Sequence, residues 1–271
     1  MTGPDQYVLG YRPAEQERLQ QQARQLAHES SWLFDQIGVA SGARVVEIGC
    51  GPHGCLELLS ERVGPSGRVV GVERSADAVA LARKLVADRG FENVEVLERD
   101  ARSTELPRCS FDLATSRLVL VNVPQPEQIV AEAAALVRPG GWVAFHEADY
   151  VSHVCDPPSE AWTRLVELLH AYSERHGIDP LIGRKLPRLL RGAGLVEVRV
   201  NPIIHVYPPG HGRRSLLLDF AENLSERIVA HGLIGERELA GLKEALARHL
   251  ADPDTLVVSH LYFQAWGRKP S

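Results

Sequence analysis

The sequence predicts an α/β fold, with a mostly parallel sheet covered by helices on both faces. Three observations carry this. Short β-branched, apolar runs alternate with helical periodicity from about residue 44 to residue 145. A glycine-rich turn follows the first of these runs directly and precedes a helix. The 271 residues are 44% hydrophobic, enough to bury a full core without disulfides or structural metal.

Residues from about Ala14 to Ile37 read as one amphipathic helix, with Leu19, Ala23, Leu26, Leu33 and Ile37 on one face and Gly38 as its stop. Arg44 to Ile48 is the first strand, and the glycine turn leads into a helix around Leu56 to Val63. A second strand, Arg68 to Val72, passes through Glu73 and Arg74 to Ser75, an N-cap for a helix to Arg89. Gly90 closes that helix. The third strand, Asn93 to Leu97, ends near Asp100, and the fourth, Phe111 to Thr115, near Arg117. A helix from about Glu127 to Val137 and the turn Arg138-Pro139-Gly140-Gly141 feed a fifth strand, Trp142 to Phe145.

After Tyr150 the rhythm changes. Asp156-Pro157-Pro158 opens a helix carrying Trp162, Leu165, Val166, Leu169 and Tyr172 on one face, stopped by Gly177. Gly183 to Leu190 is helical, Val196 to Val200 a strand, and Ser215 to His231 and Glu236 to Leu250 are helices. Thr255 to Trp266 is β-rich and is expected at the sheet edge. The domain reading is therefore N-terminal lid helices over 1–40 and a cofactor-binding core over 41–150. A helical lid or acceptor-binding insertion follows over 151–254, with a core strand near 196–206, and a C-terminal edge strand over 255–271.

Composition narrows the function. A net charge of −5 leaves no basic footprint for nucleic acid. Apolar runs fall short of the roughly 18–20 residues needed to span a bilayer, and Met1 leads into a polar run. Cys50, Cys55, Cys109 and Cys155 lack C-x-x-C spacing. Reduced thiols, a cytoplasmic location and no metal site are the expectation.

Gly49-Cys50-Gly51-Pro52-His53-Gly54 fits G-x-G-x-x-G in the strand-to-helix context a nucleotide site requires. Glycines allow the tight turn and let a ligand touch bare backbone. The loop alone suits a pyridine dinucleotide or S-adenosylmethionine, and Glu73 would bind ribose hydroxyls in either case. Glu47, inside an apolar strand two residues before the first glycine, needs a partner. Facing a cationic methionine end it is useful, whereas near a pyrophosphate it is not. Asp100 is placed to accept from an adenine amino group. Both favour S-adenosylmethionine.

These motifs resemble those of the class I S-adenosylmethionine-dependent methyltransferases. Val46-Glu47-Ile48-Gly49-Cys50-Gly51 looks like their first motif, Val72-Glu73 their second-strand acidic motif and Asp100-Ala101 their adenine motif. Leu136-Val137-Arg138-Pro139-Gly140-Gly141 looks like the turn before strand five. Tyr7-x-Leu9-Gly10 with Glu15-x-x-Arg18-Leu19-x-x-Gln22-Ala23, and Asp179 to Leu186 with Ala193-Gly194-Leu195, resemble a bacterial small-molecule subgroup. Asn122 departs from it, standing where many relatives carry histidine. The resemblance implies a Rossmann-like, seven-stranded sheet whose last strand is antiparallel, and an acceptor pocket under a helical lid.

The expected cofactor-binding residues are Tyr11, Gln22, Glu47, Gly49, Gly51, Glu73, Arg74, Asp100, Ala101 and Arg117. The expected catalytic set lies where strand five meets the lid: His146, Glu147 and Asp149. His146 is the base best matched to neutral pH, and Glu147 and Asp149 have bracing the lid as their alternative role. His53 is read as pointing to solvent. The function expected is in-line methyl transfer from S-adenosyl-L-methionine to a small-molecule acceptor, in secondary metabolism, with the lid's apolar helices allowing a homodimer. The rivals are an NAD(P)-dependent oxidoreductase and an inactive, methyltransferase-like ligand-binding protein.

Overall fold

A computed structural model describes residues 13–150 and 152–271, with side chains from Leu19 onward. The N-terminal periodicity forms two helices, α1 (Pro13–Gln25) and α2 (Ala27–Ile37), where one was expected. Leu26 leaves helical geometry at φ −97° and ψ 7°. Its side chain is buried, so the break lets α2 pack on the sheet while α1 turns across the strand ends.

The core then alternates as the sequence predicts: β1 (Arg44–Ile48), α3 (Leu56–Val63), β2 (Arg68–Glu73), α4 (Ala76–Arg89), β3 (Val94–Glu98), β4 (Phe111–Arg117), α5 (Pro126–Leu136) and β5 (Val137–Asp149). Ser75 caps α4 by accepting the Ala78 N–H, and Gly90 ends it in the left-handed region at φ 68°. β5 is longer than the Trp142–Phe145 expected. It takes in Arg138-Pro139-Gly140-Gly141 with an irregular register against Phe111 and Leu113, and it runs on to Asp149 because an antiparallel partner pairs it that far.

The lid and C-terminal part comprise β6 (Val154–Asp156), α6 (Glu160–Arg175), α7 (Ile182–Gly192), β7 (Val196–Ile203), α8 (Leu216–Ala230), α9 (Glu236–Ala251), β8 (Leu256–Val258) and β9 (Leu261–Arg268). The main sheet has seven strands in the order β3-β2-β1-β4-β5-β9-β7, and β6 pairs with β8 in a small second sheet. β3-β2-β1-β4-β5 is parallel, and β9 is antiparallel to both neighbours. The expectation of a C-terminal edge strand is thus corrected. β9 inserts between β5 and β7, and β7 holds the edge. The two sequences bear this out, since Tyr262, Ala265 and Trp266 of β9 are buried while Val196 and Val200 of β7 are exposed.

One face of the sheet packs α5 and α7 through Ile129, Ala133, Leu186 and Leu190. The other packs α2, α3 and α4 through Phe34, Leu59 and Val79. A separate core joins α6, α8 and α9 through Trp162, Leu165, Leu224 and Leu246. Buried Arg214 ties this lid to its loops by donating to the carbonyls of Tyr207, Leu250, Asp252 and Thr255. Among the described residues no helix is long and apolar enough to cross a membrane. Parallel strands converge at their carboxyl ends on one rim, where α1 and the lid meet them, and this rim holds the site.

Candidate active site

The glycine loop is built on Glu47. Its side chain, 1% exposed at the end of β1, takes the Cys55 N–H on both oxygens at 2.8 and 2.9 Å. Burial pushes this carboxyl up to about 7, against the lowering effect of the nearby Arg117 charge and the Cys55 N–H. Glu47 is therefore a brace under the loop, and the residues lining the cleft do not include it. Close approach explains the glycines. A Cβ on Gly49 would lie 2.5 Å from Val119 Cγ2, and one on Gly54 would lie 2.5 Å from the Cys50 carbonyl and 2.6 Å from Glu47. Gly51, at φ 54°, has nothing within 4 Å of its Cβ position. Its open side belongs to the cleft.

Glu73 ends β2 at 9% exposure and lines that cleft. One of its oxygens accepts the Gly51 N–H at 3.2 Å and the other the Ser75 N–H at 2.9 Å. A carboxylate offers about four acceptor positions, so Glu73 fixes the loop and keeps capacity for two further donors. That combination fits an adenosyl ribose: bare backbone at Gly51 beside an anchored acceptor of vicinal hydroxyls. Gln22 on α1, Arg74, Asp100, Ala101 and Arg117 line the same cleft. Asp100 is committed more than the sequence suggests, because Arg102 holds both its oxygens at 3.0 and 2.7 Å. The Arg102 side-chain bond, ahead of its backbone N–H, keeps the Asp100 carboxyl below the usual range. Arg117 bridges α2 and the loop, donating to Ser30 Oγ at 3.0 Å and to the Gly54 carbonyl at 3.2 Å. His53 is half-buried and lines the cleft wall. Tyr11 lies outside the described residues.

The three residues expected to catalyse stand apart from the cleft lining. Glu147, 0% exposed, accepts the N–H groups of Val119, Leu120 and Val121 at 3.0, 2.9 and 3.2 Å. Its lone pairs hold the turn after β4, whose Leu118, Val119 and Asn122 do line the cleft. Asp149 is buried and ion-paired to Arg184 of α7. His146 is 2% exposed, packs edge-on against Tyr262 at 5.6 Å, and has neither ring nitrogen hydrogen-bonded. Burial, reinforced by the charges of Arg117 and Arg213, lowers its pKa to about 3. Glu147 and Asp149 are engaged by neighbouring donors and His146 is held neutral, for one physical reason. Carboxylates and imidazoles buried inside a strand are consumed by nearby donors or held neutral.

The His146 shift has a testable sign. An imidazole neutral in the fold but titrating near 6.5 when unfolded destabilises the protein progressively as pH falls below 6.5, down to about 3. His146→Phe keeps the ring contact and removes the titration. Measured by urea unfolding, the variant should gain about 2 kcal/mol on the parent between pH 7 and pH 5. A stability difference that ignores pH would mean that the folded imidazole takes up its proton freely.

Sequence reasoning missed the parts of the cleft set by chain reversal. Val119 comes from the turn that Glu147 organises, beside Asn122, which the sequence marks only as a departure from the family pattern, and Phe220 comes from α8, about a hundred residues away. The backbone marks this turn, with the non-glycine Leu118 at φ 56°, but its residue type carries no such signal in the sequence. Phe220 has none either.

A family model described as a methyltransferase domain matches residues 40–189. The chain is 33% identical over 209 residues to an uncharacterised 37.1 kDa transposon protein of Streptomyces fradiae, covering 75% of this chain and 57% of that protein. It is 30% identical over 140 residues to aklanonic acid methyltransferase of Streptomyces sp. strain C5, covering 46% and 64%. To demethylmenaquinone methyltransferase of Anoxybacillus flavithermus it is 32% identical over 192 residues, covering 64% and 79%. The chain thus spans less than two thirds of the two Streptomyces relatives. A crystal structure of a putative methyltransferase from Bacillus halodurans superposes with a TM-score of 0.55 at 16% identity, covering 89% and 98%. With the domain match spanning more than half of its length, on this strand order and this glycine loop, the chain belongs to the methyltransferase domain family and has the fold of the class I S-adenosylmethionine-dependent methyltransferases.

Proposed function

We propose that this protein transfers the methyl group of S-adenosylmethionine to a small-molecule acceptor. The observation that carries the proposal is the methyltransferase-domain match over residues 40–189, which contains the part of the cleft where Gly51 lies open beside a buried and anchored Glu73. The methyl carbon of S-adenosylmethionine is already activated by its positive sulfur, which is the chemistry the bound group supplies. The chain's own tasks are alignment and exclusion of water, worth on the order of 7–11 kcal/mol when geometry is optimal. Glu73 accepts from the ribose hydroxyls, and Ala101 with the Asp100–Arg102 pair borders the purine end. Arg117 sets the shape of the methionine end by fixing Gly54 against α2. Gln22 of α1, with Tyr150 and Phe220 of the lid side, walls the cleft from solvent.

The named acceptors of the two methyltransferase relatives, aklanonic acid and demethylmenaquinone, support a small molecule. A place in secondary metabolism is part of this reading. The oxidoreductase alternative shares the glycine loop and Glu73, so the test is a competition. Calorimetric titration should give micromolar binding of S-adenosylhomocysteine and none of NADH. With an acceptor panel, demethylated cofactor should accumulate. Binding of NADH together with failure of S-adenosylhomocysteine would reverse the assignment, and binding without turnover of any acceptor would favour a ligand-binding protein.

A further inference from the structure

Beside the cleft lies a second cavity, lined mainly by α6, α8 and the turn after β4. Asn122, Tyr150 and Phe220 line both spaces and make their common wall. Tyr150 and Phe220 meet edge to face there, with ring centroids 5.5 Å apart. Val166, Leu169, Leu217 and Leu224 form the apolar bulk of the chamber. Its polar groups are amides, hydroxyls and imidazoles: Asn122, Tyr150, His153, His170, Tyr172 and Ser173. Among the described lining residues there is no Asp, Glu, Lys or Arg. His170 Nε2 is buried in this wall with no hydrogen-bond partner among the described residues, so its hydrogen-bonding capacity is unspent by the protein there. Burial holds His153 largely neutral, with its pKa lowered to about 4.

We infer that this chamber is the acceptor site, and that it takes an uncharged, ring-bearing hydroxy compound whose hydroxyl group pairs with His170. The inference rests on the methyltransferase reading and adds the acceptor's class to it. A carboxylate, phosphate or ammonium entering here would lose hydration against the apolar walls and meet no Asp, Glu, Lys or Arg among the described lining residues, which costs far more than burying a hydroxyl. Phosphorylated acceptors in particular need the Arg or Lys donors that this wall lacks. Aromatic and branched walls favour a flat apolar body, with one polar group fixing its orientation. The shared wall at Tyr150 and Phe220 sets the ring beside the cofactor cleft, where an acceptor must be.

The test uses the full chain saturated with S-adenosylhomocysteine and three probes of one shape: 1-naphthol, naphthalene and 1-naphthoate. Naphthol should bind about tenfold more tightly than naphthalene, the value of one hydrogen bond to a buried partner, and at least about tenfold more tightly than naphthoate. Leu169→Trp, which fills the chamber, should weaken naphthol at least tenfold while S-adenosylhomocysteine affinity stays within twofold. His170→Phe should bring naphthol down to the naphthalene value, and it gives an independent readout if the tryptophan variant folds poorly. Equal or tighter binding of naphthoate would overturn the inference, as would naphthol binding indifferent to both variants or no binding of naphthol at all. Naphthol titrated into protein free of S-adenosylhomocysteine separates the two readings. Capture of naphthol, lost in Leu169→Trp, by a protein that does not bind S-adenosylhomocysteine would sink the cofactor assignment and uphold the chamber.

Discussion

Glu73→Ala is expected to weaken S-adenosylhomocysteine binding by about 100-fold, because hydrogen bonds to a buried charged acceptor are worth roughly 1.5–3 kcal/mol. Two losses combine. The ribose loses its acceptor, and the Gly51 N–H loses the carboxylate oxygen that holds the loop open. Glu73→Gln keeps one carbonyl oxygen and the side chain's volume, so it should lose only about tenfold. Calorimetry reads both, and thermal unfolding provides the control. Ser75 and Gly51 stand in a partly exposed turn where water can replace the lost acceptor, so the fold should survive. An alanine variant that binds S-adenosylhomocysteine within twofold of the parent would remove the ribose contact from this site.

Glu147→Ala should act on stability instead, costing about 3–5 kcal/mol. Three backbone N–H groups, those of Val119, Leu120 and Val121, lose their acceptor at once in a place water does not reach. The turn they belong to presents Val119 against Gly49 and lines the cleft, so weakened cofactor binding should accompany the loss. Glu147→Gln, with a single carbonyl oxygen, should fall between the two and remain soluble enough to measure. Denaturant unfolding decides the matter. Unchanged stability with turnover abolished would restore a catalytic role to Glu147, which the three N–H bonds argue against.

The sequence was most legible where local chemistry is sufficient. Ser75 and Gly90 bracket α4 because one supplies an oxygen to an orphan N–H and the other tolerates a left-handed turn. The glycine loop was legible for the same reason, as were β1 to β4 and the helices between them. It was least legible where two distant segments share one requirement. Glu147 looks like an acid near a strand end, and only the turn 118–122 folding back over β5 turns it into an acceptor of backbone N–H groups. His146 has the type of a base, but its pKa follows from enclosure beside Arg117 and Arg213, the latter 67 residues further along the chain.

Periodicity, caps and the glycine spacing by themselves determined an alternating α/β core with a ligand loop at the end of β1 and an acid at the end of β2. Tertiary structure alone decided that β9 fills the place between β5 and β7, that α1 breaks at Leu26 to cross the strand ends, and that Phe220 and His170 wall a chamber beside the cleft. The physical reason is range. Capping and turn geometry are fixed within about four residues of backbone, whereas burial, which spends some polar groups and leaves others unmatched, depends on which surfaces the finished fold presses together.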